Sequence, residues 1–158
     1  MSDLVSPQGG SMYAHSSQVH RTLLRASPDT PHQARQIVRI WSALDLGLKS
    51  DLLEDVLLVV SELVTNSLKH AHFTPGREWV QLSIDTDPAC VRVTVTDPGH
   101  PTEYPQRRLA DSRGLSGLIA GGRGLQIVDH ICNGAWDTSL TESHERIVQA
   151  RIPIDPHT

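Results

Sequence analysis

Apolar residues recur at three- and four-residue steps through DLLEDVLLVVSELVTNSLKHAH, residues 51–72: Leu53, Val56, Leu57, Val60, Val64 and Leu68. That spacing predicts a helix with one stripe laid on a core. Ser50 or Asp51 can cap it, with Glu54 placed for a capping box. Glu62, Asn66 and His70 lie four apart and form a second line beside the stripe, each turned about 40° from the last. A carboxylate, an amide and an imidazole on one line can face a ligand, and Lys69 at the same end can reach a phosphate. The same pattern also fits an amphipathic helix whose polar edge merely meets water.

Elsewhere the periods alternate between two and three-to-four. Gln18 to Ala26 reads as a strand, with Leu23 and Leu24 adjacent. Ser27-Pro28-Asp29-Thr30-Pro31 then signals a helix start. Ala34, Ile37, Val38, Trp41 and Leu44 follow at helical spacing, and Gly47 is placed as a C-cap. Trp79 to Asp85 alternates, Asp87-Pro88 turns the chain, and Cys90 or Val91 opens a second alternating run to Thr96, giving an antiparallel hairpin. Asp97 closes that run. From there to Gly122 periodicity fails, as in a functional or disordered loop. Leu125 to Cys132 predicts a short helix, and Trp136–Leu140 and 146–152 two last strands turning near His144-Glu145. Strands and helices in blocks predict an α+β two-layer sandwich: a mixed, mostly antiparallel sheet with helices on one face.

The 158 residues suit one domain, 18–153, between a flexible tail at 1–17 and a short one at 154–158. A net charge of −4 gives no basic footprint for nucleic acid. No run reaches the length of a membrane span and no signal pattern opens the chain, so a cytoplasmic setting is expected. Cys90 and Cys132 share no metal or redox spacing and suit a core role in a reducing compartment. His70 and His72, two apart on a helix, diverge by roughly 200°, a poor chelate. Trp41 and Trp136 suit core or interface positions.

Two turns carry candidate chemistry. Asp97 stands where a strand ends and glycine begins. A carboxylate there can accept from an exocyclic amine such as adenine's, and Gly99 lets backbone pass close to a flat ligand; taken alone, the segment reads more simply as an ordinary Asp-Pro-Gly turn. Gly121-Gly122-Arg123-Gly124 before a helix exposes N–H groups to an anion, or is simply a flexible loop end. Magnesium takes few protein ligands and the rest from phosphate and water, so one amide oxygen, that of Asn66, is sufficient beside a triphosphate.

SELVTNSLKHA at 61–71, Asp97-Pro98-Gly99, and Gly122-Arg123-Gly124-Leu125 together resemble the GHKL ATPase family, which has the Bergerat nucleotide-binding fold. Within it the chain is most similar to the small stand-alone anti-sigma factor serine kinases, over roughly residues 20–153. The preceding helix PHQARQIVRIWSALDLGL and the short length support this. The resemblance implies ATP and Mg²⁺ as cofactors. Asn66 would hold the metal and Glu62 would act as general base on a target serine. Asp97 would bind the adenine amine with Gly99 beside the ring. Gly122, Arg123, Gly124 and Leu125 would meet the phosphates, with Lys69 and His70 near them and residues 100–121 as an ATP lid. The implied partners are a sigma factor, an anti-anti-sigma antagonist phosphorylated on serine, and a second copy, Leu23, Leu24 and Trp41 being candidates for the dimer surface. The alternative is a nucleotide-sensing, partner-binding module without catalysis. Two departures matter. Pro101 stands where many relatives carry a second glycine. Ser143-His144-Glu145-Arg146 replaces the Gly-Thr that often touches adenine.

Overall fold

The computed structural model describes residues 19–101 and 124–155. The tail at 1–17, most of the candidate lid, Gly122 and Arg123 lie outside the described residues. Five strands, β1 (His20–Arg25), β2 (Trp79–Thr86), β3 (Cys90–Asp97), β4 (Trp136–Leu140) and β5 (Arg146–Pro153), form one sheet in the order β1-β2-β3-β5-β4. Every described pairing is antiparallel, so the expected mixture is corrected to a purely antiparallel sheet. On β2 and β3 alternate residues are buried: Val80, Leu82 and Ile84, then Val91, Val93 and Val95. These face α1 (Thr30–Trp41), α2 (Ser50–His70) and α3 (Gly124–Ile131), and the two layers close one core. The opposite face carries cross-strand polar pairs, among them Arg92 on Asp85 at 2.6 Å and Gln149 on Thr94 at 3.2 Å.

Neither helix start carries the side-chain cap bond expected of it. Asp29 occupies the N-cap of α1 but makes no side-chain cap bond. Instead Thr30 Oγ1 accepts the Ser27 N–H at 2.8 Å and donates to the Arg25 carbonyl at 2.7 Å, tying strand to helix. For α2 the N-cap is Lys49, without a side-chain cap bond; Ser50 is already helical, and Asp51 lies in the first turn, favourable for the helix dipole.

After Trp41 the helix widens into a π turn, Ser42–Leu46, closed by the Gly47 N–H on the Ser42 carbonyl at 2.8 Å. The wider turn rotates later side chains off the expected stripe. Leu44 is therefore 73% exposed, while Leu46 and Leu48 pack against the core. Gly47 sits at φ +57 and an added Cβ would meet nothing within 4 Å. Gly47→Ala should thus cost only the left-handed backbone penalty, about 1 kcal/mol. A urea midpoint shift at unchanged slope would show it; an unchanged midpoint would contradict it.

The buried arc of α2 is wider than the sequence stripe. Val56, Leu57, Val60 and Val64 are buried as expected, but so are Val59, Leu63 and Ser67; Leu53 and Leu68 are half-buried. The helix rests on the sheet and is flanked by both other helices, so more of its circumference leaves water. Leu24 is 7% exposed and packs in the core, which removes it from the expected dimer surface; Leu23, on the other side of the same strand, is 63% exposed. Trp41 and Trp136 both pack against the core, Trp136 donating to Asp129 at 2.9 Å.

Cys132 is buried as expected, whereas Cys90 is half-exposed on the open face, against the core role expected of it. Burial pushes the Cys132 thiol up to about 11, with the nearby Asp129 and Asp55 charges acting the same way. Iodoacetamide at pH 8 should therefore modify Cys90 well before Cys132, which should react only on unfolding. Mass spectrometry of a labelling time course decides it; equal rates in the native protein would contradict it.

Candidate functional site

Three parts of the chain meet on α2. Its rail, Glu62, Asn66 and His70, is half-buried, and Lys69 is exposed beside it. From Glu62 to His70 the rail runs about 12 Å at 1.5 Å per residue.

At one end, α3 begins against Glu62. A Cβ on Gly124 would overlap Glu62 Oε2, so the start of α3 lies close against this carboxylate, whose flexible end would have to move for a larger residue. The approach also sets a carboxylate at the positive end of a helix, a favourable placement. Leu125, next in line, packs against the core and anchors that helix end.

At the other end, Asp97 closes β3, the central strand, with its side chain 1% exposed. Asp97 Oδ1 accepts the Gly99 N–H at 2.8 Å, which makes Asp97-Pro98-Gly99 a turn closed by its own side chain. The ordinary turn and the candidate ligand site are thus one structure. The Gly99 carbonyl accepts the His72 N–H at 2.8 Å and fastens the turn to the end of α2; Arg77 donates to the Pro98 carbonyl at 3.3 Å. His72 and His100 meet edge to face, 5.8 Å between ring centroids. Gly99 has φ +73, and a Cβ there would overlap the His144 carbonyl of the β4–β5 turn. The close backbone approach expected of Gly99 is therefore present, with His144 as the neighbour.

A residue the sequence flagged only as a departure completes this end. Arg146 opens β5 directly opposite Asp97 in the β3–β5 register. Its Nε and Nη2 donate to Asp97 Oδ2 at 3.1 and 2.7 Å. Strand 146–152 was legible from alternation, but its register against β3 was not, and register makes the pair. Ser67 also escaped notice. It follows Asn66 on α2, is fully buried, and its Oγ has no hydrogen-bond partner among the described residues.

Among the described residues, no group of three or more His, Cys, Asp or Glu side chains could hold a metal. No described helix is long and apolar enough to cross a membrane.

A family model described as a histidine kinase-like ATPase domain matches residues 24–150. The match spans Glu62, Asn66, Asp97, Gly99, Gly124 and Arg146 alike. No curated protein matches the chain.

Proposed function

Because this chain belongs to the histidine kinase-like ATPase domain family, we propose that it is an anti-sigma-factor-type serine/threonine protein kinase. It would be cytoplasmic and self-pairing, holding a sigma factor and phosphorylating its antagonist on serine. ATP would lie along α2, its base at the Asp97 turn and its phosphates toward Gly124 and the adjoining Gly122 and Arg123. The observation that carries this reading is the convergence on one helix: the Asp97-Pro98-Gly99 turn bonded to its end and the start of α3 seated on Glu62.

The residues present suit nucleotide and metal. Asn66 offers a hard amide oxygen, Asp97 Oδ1 keeps one acceptor position beyond its bond to Gly99, and the unpartnered Ser67 Oγ adds a buried polar group beside Asn66. Mg²⁺ on Asn66 would supply charge neutralisation to the transferring phosphoryl group. Glu62 would take the proton of the target serine hydroxyl as its oxygen bonds phosphorus and the bond to the ADP oxygen breaks. Lys69 and His70 stand at the other end of the rail, in the last turn of α2 beside the Asp97 turn, so their position does not favour the phosphate contact that the resemblance implied.

The test is transfer of γ-labelled phosphate from Mg·ATP to candidate antagonist proteins. Labelled serine is expected, falling about 100-fold or more in Glu62→Gln. No labelled serine with any partner would overturn the kinase reading. One observation favours the second reading, a nucleotide-sensing module without catalysis: Glu62 Oε2 already lies against the start of α3, where it can organise that helix. Unchanged partner binding and output in Glu62→Ala, with nucleotide binding lost in Asn66→Ala, would select it.

A further inference from the structure

The base end of the site contains a group that the proposed function does not use. Asp97 is a carboxylate with its side chain 1% exposed, and Arg146, 16% exposed, lies directly across the β3–β5 ladder from it. Both Arg146 bonds go to the same oxygen, Oδ2, while Oδ1 takes the Gly99 N–H. A carboxylate oxygen accepts about two hydrogen bonds in its plane. Oδ2 is therefore fully occupied, and Oδ1 has one position left.

We propose that Arg146 is a positioning residue for base recognition: by holding Oδ2 it fixes the Asp97 carboxylate so that a single acceptor, on Oδ1, is presented to the exocyclic amine of a 6-aminopurine. This rests on the proposed reading of Asp97 as the base contact. Arg146 does two things for that contact. Its planar fork sets the rotation of the carboxylate, which a lysine's point charge does not. Its charge offsets the cost of keeping Asp97 out of water whether or not a base is bound. A base whose 6-position carries an amine completes the last acceptor; one with hydrogen there leaves it unmatched, which is how a buried polar group discriminates.

The discriminating experiment pairs ligands with variants. Calorimetric titration uses Mg·ATP and the magnesium complex of purine riboside triphosphate, which lacks the 6-amino group. The wild type should prefer ATP on the order of tenfold. Arg146→Gln should weaken ATP by about that factor while moving the analogue less than about twofold, so the preference disappears. Arg146→Lys should restore part of it. Equal loss for both ligands would make Arg146 merely structural and overturn the proposal, as would an unchanged preference. If Arg146→Gln does not fold, the wild type still decides. With ATP bound, the Arg146 Nε–H signal in NMR should exchange slowly with water, as a proton held by Asp97 does; exchange as fast as that of exposed arginines would overturn the proposal. A wild type that binds neither ligand refutes the nucleotide reading itself, a result distinct from binding without preference.

Discussion

Gly99→Ala should destabilise the protein by about 2–5 kcal/mol, the largest loss expected of any one-atom addition to the described residues. A non-glycine residue at φ +73 costs about 1–2 kcal/mol. The new Cβ would also overlap the His144 carbonyl, and a backbone oxygen cannot rotate aside as a side chain can; such overpacking adds about 1–3 kcal/mol. Gly76→Ala is the control. Gly76 has φ +81 but a Cβ there would meet nothing within 4 Å, so it carries the backbone cost alone. Denaturant unfolding of both variants isolates the overlap as the difference between them. Equal shifts would mean that the β4–β5 turn yields freely and does not brace the Asp97 turn.

Asn66→Ala should leave the fold within about 1 kcal/mol of wild type, because Asn66 is half-buried on the polar edge of α2 and outside the core. Its effect should fall on nucleotide instead. If the amide is the protein's side-chain ligand to magnesium, as proposed, its removal should weaken Mg·ATP at least 10–100-fold, roughly the cost of losing even a supporting group at a metal site. Equilibrium dialysis with labelled ATP checks this. The loss should be large with magnesium and small with EDTA. A loss independent of magnesium would place Asn66 on the base or ribose, and no loss would remove it from the site.

The elements that periodicity announces are those the structure contains. β2 and β3 alternate cleanly because one face is buried and the other meets solvent, and α2 repeats at three and four because one side rests on the sheet. What local pattern could not supply was anything fixed by a neighbour distant in sequence. The width of α2's buried arc depends on two flanking helices, so Val59, Leu63 and Ser67 were not among the expected core. The π turn after Trp41 interrupts the helical period, and it moved Leu44 outward against its spacing. Capping residues were in place at Asp29 and Ser50, yet neither α1 nor α2 carries a side-chain cap bond, and the Thr30 hydroxyl instead ties α1 to the Arg25 carbonyl.

The site divides along the same line. Glu62, Asn66 and His70 share a rail because four residues nearly complete a helical turn, and that was legible. So was Asp97 at a strand end. That Gly124 lies against Glu62, and that Arg146 lies across from Asp97, are consequences of packing and register. Arg146 was visible only as a departure from the Gly-Thr of similar sequences. Its partner became clear once β3 and β5 were aligned.

The central claim is that α2, the Asp97 turn and the start of α3 bound one cleft for a magnesium nucleotide. The most direct measurement is a crystal structure with magnesium and a non-hydrolysable ATP analogue. The account predicts the purine amine on Asp97 Oδ1, the metal on the Asn66 amide oxygen, and the phosphates toward Gly124. Nucleotide bound elsewhere, with Asn66 and Asp97 both untouched by it, would contradict it.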